Sequence, residues 1–215
     1  MIRLIQGNQS SDYAAEINEM HILRRLVFAE RLGWDVNVKE GWEIDSFDDA
    51  DPLYLLSIDP KKNVVRGSLR LLPTTGPNML RDVFSCLLPE GQTIESATIW
   101  ESTRFSVHPD YLEERSANGL NLATGELLAG IVEVGLLAGL TQVLSVYDAR
   151  MARILNRAGC PADVIGTPQR IGAVMTYAGL FEISEAALAR IRQAAGITGP
   201  VLETKLADLA LASAA

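Results

Sequence analysis

Cysteine is scarce: only Cys86 and Cys160 occur in 215 residues. They lie too far apart to form a metal-binding or redox motif, so both read as small, reduced core residues. Basic residues are also in deficit, 19 Lys and Arg against 27 Asp and Glu, for a net charge of -8. That balance opposes the broad phosphate-binding surface that nucleic acids require, although it allows a local basic patch. No apolar run of about 18 residues is free of charge, and the opening "MIRLIQGNQSS" lacks a secretory hydrophobic region. These absences predict a soluble, cytoplasmic protein with no membrane or nucleic-acid partner. A GxGxxG loop, a Walker loop, an HExxH motif and a GxSxG elbow are missing too, and the glycines of "RAGCPADVIG" do not substitute for a nucleotide loop. No metal centre is expected. Nor does any Pro/Gly/Ser linker divide the chain, so residues 1–215 read as a single domain, with 48% apolar residues to supply its core.

What is present is strongly patterned. "EINEMHILRRLVFAERLGW" repeats apolar positions at helical spacing, which places Arg24 and Phe28 on one face. "DVNVKEGWEIDSFDDADP" has no such stripe and reads as a long ordered loop or lid rich in acids. "LYLLSID" and "VVRGSLRLLP" read as an antiparallel hairpin around "PKKN". "ATIWESTRFSV" is a further strand, whose alternation puts Glu101 and Thr103 on one side and Ser102 and Arg104 on the other unless a bulge intervenes. "NLATGELLAGIVEVGLLAGL" reads as a largely buried helix, "TQVLSVYD" as a strand, and "ARMARILNRAG" as a helix stopped by Gly159. "SEAALARIRQAAG", capped by Ser184, and "VLETKLADLALA" complete the helical set. The expected fold class is α/β, a mixed α+β sandwich.

Four acids, Glu43, Asp45, Asp48 and Asp49, crowd into the loop. They form either a solvated surface or a cleft in which Asp45 and Asp48 meet Arg24 and Arg104 through charge-assisted hydrogen bonds. In "WESTRFSV", Glu101 can accept a proton, whereas Arg104 stays charged and binds anions. A surface ion pair is the competing reading. Arg70 sits on the strand "GSLRLLP" of the same sheet. Trp34 and Trp42 bracket the acidic loop and serve either packing or an aromatic clamp on an adenine or a sulfonium-bearing chain. Arg150, Arg153 and Arg157 fall on one helical stripe, which is either a solvated face or a surface for an acidic partner or phosphates.

Taken together, "RRLVFAERLGW", "EIDSFDD", "GSLRLLPTTGPNML" and "WESTRFSV" resemble the acyl-homoserine-lactone synthase family, bacterial makers of quorum-sensing signals. The resemblance is close over residues 20–110 and more generic beyond. It implies a three-layer sandwich of N-acetyltransferase type, whose twisted mixed sheet splays to form an acyl-thioester cleft. It implies no prosthetic group. The substrates would be S-adenosyl-L-methionine and an acyl thioester of acyl carrier protein or coenzyme A, and lactonisation would release methylthioadenosine. The family's motif positions fall on Arg24, Phe28, Trp34, Asp45, Asp48, Arg70, Glu101 and Arg104, with Phe84 at an aromatic position after "PNMLRDVF". On this reading Glu101 activates the amine, directly or through water, backbone N–H groups hold the oxyanion, and Arg24, Arg70, Arg104, Asp45 and Asp48 position the substrate. Phe28, Trp34, Trp42, Thr103 and Phe105 would contact S-adenosylmethionine. Phe84, Ser102, Leu122, Leu127, Val143, Ser145, Tyr147 and Met151 would line the acyl pocket. Acyl chain, thioester carrier and oligomeric state stay open. The competing functions are an N-acyltransferase that does not lactonise and a non-catalytic metabolite-binding regulator; methylthioadenosine production separates the first, and ligand binding without turnover the second.

Overall fold

The computed structural model of the protein describes residues 1–203. Seven strands form one sheet in the order β1 (Ile2–Gln6), β4 (Leu53–Ile58), β5 (Val65–Pro73), β6 (Ile99–Val107), β7 (Gln142–Asp148), β9 (Val174–Glu182), β8 (Asp163–Ile171). All neighbours are antiparallel except β6 and β7. A separate ribbon pairs β2 (Val38–Lys39) with β3 (Trp42–Glu43). The large mixed sheet is the one expected from the sequence. So is the β4–β5 hairpin, whose turn Asp59 closes by accepting hydrogen bonds from the Lys61 and Lys62 amides.

Helices cover both faces, which is why every residue of β4 is buried and its sequence is a continuous apolar run. On one face α1 (Ala14–Arg24), extended by π-helical turns over Arg25–Arg31, packs Met20, Leu23, Val27 and Phe28 against Tyr54, Leu56 and Ile58. On the other lie α3 (Leu122–Leu137), α4 (Ala149–Arg157) and α5 (Glu185–Ala195), packed on Leu53, Leu55, Leu69, Leu71, Val143 and Phe181. Close approach explains glycines in α3. A Cβ on Gly125 would stand 2.5 Å from that of Ala195, and one on Gly135 2.9 Å from Ile183. Among the described residues no helix is long and apolar enough to cross a membrane.

Several expectations change. Residues 163–182, read from sequence as no particular element, form the β8–β9 hairpin. The β8 strand holds a glycine and a proline and lies at the sheet edge, where a missing N–H costs no ladder bond. Cys160 is buried as expected, but Cys86 is exposed. Of the segment read as a last helix, Val201–Glu203 instead run beside β1, with Ile2 donating to the Val201 carbonyl at 2.6 Å and accepting from the Glu203 amide at 2.8 Å. The rest of that segment lies outside the described residues. Gly159 and Ser184 do end α4 and begin α5: Gly159 has φ of 72°, and the Ser184 hydroxyl accepts the Ala187 amide at 3.0 Å.

Two irregularities of β6 shape the site. Ser68 pairs with Ser106 and Arg70 with Thr103, so Arg104 and Phe105 together oppose Leu69 alone. This is a bulge, and Arg104 takes a φ of 54° in it. Strict alternation would send Arg104 to the α3 face; the bulge returns it to the α1 face beside Glu101 and Thr103. Second, β6 pairs with β7 only from Ile99 with Gln142 to Ser102 with Ser145. Beyond that point the two strands diverge, and the Ser145 hydroxyl donates to the Ser102 carbonyl at 2.9 Å at the fork.

Candidate active site

Three arginines and three acids close a ring on the α1 face. Arg24 on α1 donates through Nε to Glu43 at 2.5 Å and through both Nη atoms to Asp48 at 2.8 and 3.0 Å. Arg70 on β5 joins Asp48 at 2.8 Å and Asp45 at 2.5 and 3.1 Å. Arg104 on β6 joins Asp45 at 2.6 Å and returns to Glu43 at 3.0 Å. Each guanidinium bridges two carboxylates and each carboxylate two guanidiniums, so the formal charges cancel where water is largely excluded. The geometry is bidentate in part, which favours arginine over lysine.

Local sequence makes this ring possible. Asp45 and Asp48 form a reciprocal capping box over the turn Ser46–Asp49, fixing two carboxylates at its entrance. Glu43 ends the β2–β3 ribbon, and its carbonyl accepts from His21 Nδ1 at 2.9 Å. The expected acidic loop is therefore folded inward rather than solvated. Burial by itself would raise the carboxyl of Asp48, yet the hydrogen bonds and charges of Arg24 and Arg70 outweigh it and hold Asp48 well below the carboxylate range. Asp45 is lowered as well: its burial is outweighed by Arg70 and Arg104. The ring is not uniformly closed. The Arg24 and Glu43 side chains are 1% and 0% exposed, whereas Arg104 and Asp45 are 10% and 16% exposed, so their junction is the open corner.

Glu101 stands next to the ring but outside it. It is fully buried, and its two oxygens accept the amides of Met79 and Leu80, each at 2.7 Å, at the start of the short turn α2 (Met79–Asp82). Among the described residues it makes no ion pair. Burial pushes its carboxyl from an ordinary 4.5 up to about 7, against the opposing pull of the two amides and Arg70. A carboxylate so placed can take up a proton near neutrality. Each oxygen keeps a further lone-pair direction beyond its amide bond.

The aromatic residues separate into two groups. Phe28 stacks on Trp34 with centroids 5.3 Å apart, and the Arg104 guanidinium lies 5.5 Å from the Phe28 ring. Trp42 instead donates to Asn18 at 2.8 Å and tilts against His21. Trp34 is 42% exposed although stacked, an open aromatic face beside the ring. Thr103 accepts from Arg70 Nε at 3.0 Å, and Phe105 packs into the core on the α3 face.

The eight residues read as an acyl pocket are not all brought together. Val143, Leu127, Tyr147 and Met151 belong to the core on the α3 face, while Ser102 and Ser145 mark the fork and Leu122 starts α3 half-buried. Phe84 packs on the opposite face with Leu80, Leu144 and Met79. Just beyond the fork lies a cavity of about 200 Å³ lined by Tyr147, Ala149, Ala152, Leu155, Ala162 and Tyr177 among others. Of the eight, only Tyr147 lines it. Sequence reasoning named Glu43 among the crowded acids without giving it a place in the site, and it did not single out Tyr54, whose hydroxyl donates to Asp48 at 2.9 Å, or Met79. Glu43 had a usable signal, since it precedes Asp45 by two residues in the same acidic run; a tyrosine and a methionine among apolar residues carry none.

Known proteins agree with this architecture. The autoinducer synthase family model matches residues 8–191. The acyl-homoserine-lactone synthase of Agrobacterium fabrum is 38% identical over 190 residues, covering 88% of this chain and 90% of its own. The solved structure of BjaI, a CoA-dependent acyl-homoserine lactone synthase with SAM and isopentyl-CoA, superposes with a TM-score of 0.81 at 28% identity, over 94% of this chain and 92% of that one. A putative N-acetyltransferase from Lactobacillus plantarum shares the fold alone, with a TM-score of 0.55 at 14% identity and coverage of 85% and 99%.

Proposed function

The chain belongs to the autoinducer synthase family, and from that premise we propose how its cleft divides the work among individual residues. It is an acyl-homoserine-lactone synthase, an acyltransferase that uses S-adenosyl-L-methionine and an acyl thioester as substrates. The observation that carries the assignment of roles is the parallel β6–β7 pair, which opens beyond Ser102 and Ser145 beside an unpaired, buried Glu101.

The thioester enters the fork, where strands that no longer pair leave backbone N–H groups free to stabilise the developing oxyanion. Glu101, directly or through one water, takes the proton from the α-amine as the nitrogen attacks the acyl carbonyl. The carbon–sulfur bond of the thioester breaks, and the thiolate takes back the proton that Glu101 removed and leaves as the thiol. The methionyl carboxylate then attacks its own γ-carbon, and the sulfonium departs as methylthioadenosine. Arg104 anchors that carboxylate at the open corner with Asp45, while Arg24, Arg70 and Asp48 hold the corner in place. Phe28 and Trp34 present a stacked pair to the adenosyl and sulfonium groups, with Trp42 and Thr103 around them, while Phe105 packs on the other face of the sheet.

The acyl chain runs from the fork along the α3 face of β7 toward the cavity that Tyr147 lines, with Ser145 and Met151 on its path. The carrier meets Arg150, Arg153 and Arg157, which are exposed and make no ion pair among the described residues. That stripe suits the phosphates of coenzyme A or an acidic carrier protein. The cytoplasm, where both carriers occur, is the site of synthesis.

The test supplies purified protein with S-adenosylmethionine and one acyl group on coenzyme A or on carrier protein, and follows products by mass spectrometry. Acyl-homoserine lactone and methylthioadenosine should appear together. An N-acylated product without methylthioadenosine, or no product across a broad donor panel, overturns the reading. The ratio of kcat/KM for the two donors identifies the carrier.

A further inference from the structure

Glu101 presents an electrostatic puzzle. Arg70 faces it from β5, and Arg81 and Asp82 from α2, while β7 offers the apolar Leu144 at the paired position and the bulge puts Arg104, three residues along the same strand, on the same face. A buried carboxylate beside guanidiniums ordinarily pairs with them, and such pairing depresses its pKa and removes it from use as a base at neutral pH. Here it does not pair.

The side chain of Met79 occupies the relevant donors. Its sulfur lies 3.4 Å from Arg104 Nη1 and 3.7 Å from Arg70 Nη2, so one N–H group of each guanidinium points at a thioether. The backbone amide of the same residue donates to Glu101 at 2.7 Å. Met79 is 8% exposed and wedged against Phe47 and Leu72, which fixes its side chain. The turn that carries it is held by Asn78, which accepts the Arg81 amide and donates to the carbonyls of Thr74 and Gly76.

We propose that Met79 is a positioning residue that insulates Glu101, its thioether taking the two guanidinium N–H groups that would otherwise reach the carboxylate while its amide holds the carboxylate in place. A thioether is a weak acceptor with no charge, so it occupies the arginines without competing with the acids of the ring. Glu101 is left with backbone donors only. One residue thus separates the charged ring, which holds substrate, from the carboxylate, which moves the proton. The inference rests on the reading of Glu101 as the base.

The test measures single-turnover acyl transfer between pH 5 and 9 with saturating substrates. Wild-type rates should rise through about pH 7 and level off. Glu101→Gln should lose that limb. Met79→Ala should move it about one to three pH units lower, as an arginine reaches the carboxylate, and lower the plateau. Met79→Leu, which keeps the bulk but loses the sulfur acceptor, should also move the limb lower, by less than Met79→Ala does. Where Met79→Ala folds poorly, Met79→Val gives the same readout, and the infrared band of the protonated Glu101 carboxyl follows the titration without turnover. A limb unmoved in both Met79→Ala and Met79→Val, yet absent in Glu101→Gln, overturns the insulation and leaves the base assignment standing. A limb that persists in Glu101→Gln overturns both.

Discussion

At the scale of single residues, chemistry here depends on which carboxylates have a cation and which do not. Arg24 is fully buried and serves both Glu43 and Asp48. Its replacement by alanine leaves two buried anions short of a partner, and should cost about 3–5 kcal/mol of stability, read from urea unfolding. Arg24→Lys should recover little of the loss, because one ammonium cannot reproduce the three N–H contacts of the fork. Glu101 is the converse case, a carboxylate without a cation. Glu101→Gln should reduce kcat by roughly 10²–10⁴-fold, with a smaller change in KM for S-adenosylmethionine. Residue types that declare their chemistry were legible in the sequence: Arg24, Asp45, Asp48, Arg70, Glu101 and Arg104 do lie together. Met79 was not, because a methionine in an apolar setting reads as packing, and its role comes from two guanidiniums brought to it by other strands.

At the scale of elements, β6 shows how one extra residue redirects a side chain. Period-two alternation placed Glu101 and Arg104 on opposite faces, and the bulge opposite Leu69 puts both on the α1 face. Bulges leave little trace in composition, since they answer a mismatch in pairing between two strands rather than a local preference. The β8–β9 hairpin was invisible for a related reason: an edge strand tolerates glycine and proline that would argue against a central one. The α4–β7–β9 cavity belongs to this scale too. Tyr147 stacks on Tyr177 with centroids 5.8 Å apart, filling space between the strands. Tyr147→Ala should enlarge the cavity and shift the preferred acyl donor toward longer chains, read as kcat/KM across a series of saturated acyl groups. An unchanged preference would place the acyl tail elsewhere.

At the scale of the whole molecule, the buried acids give stability two opposing dependences on pH. Asp45 and Asp48 are held below their unfolded values, so their contribution is present above about pH 4 and is lost as pH falls through their folded values. Glu101 is raised, so the folded state holds its proton more tightly than the unfolded chain does. Stability from that group therefore declines as pH rises from about 4.5 to about 7. The difference in urea midpoint between pH 5 and pH 7.5 should be smaller in Glu101→Gln than in the wild type, once other groups are matched by that comparison.

The sequence alone determined the alternation of helices and strands, the family resemblance that implied a mixed sheet, and most of the charged residues that the cleft brings together. Hydrophobic periodicity and side-chain chemistry are local, and each can be read along the chain. Tertiary structure decided which acids close the ring, which face Arg104 takes, where β6 and β7 part, and that Glu101 stands free of every arginine near it. Those outcomes depend on strand register and on contacts between residues remote in sequence, where a shift of one position changes the partner and with it the charge a group can hold.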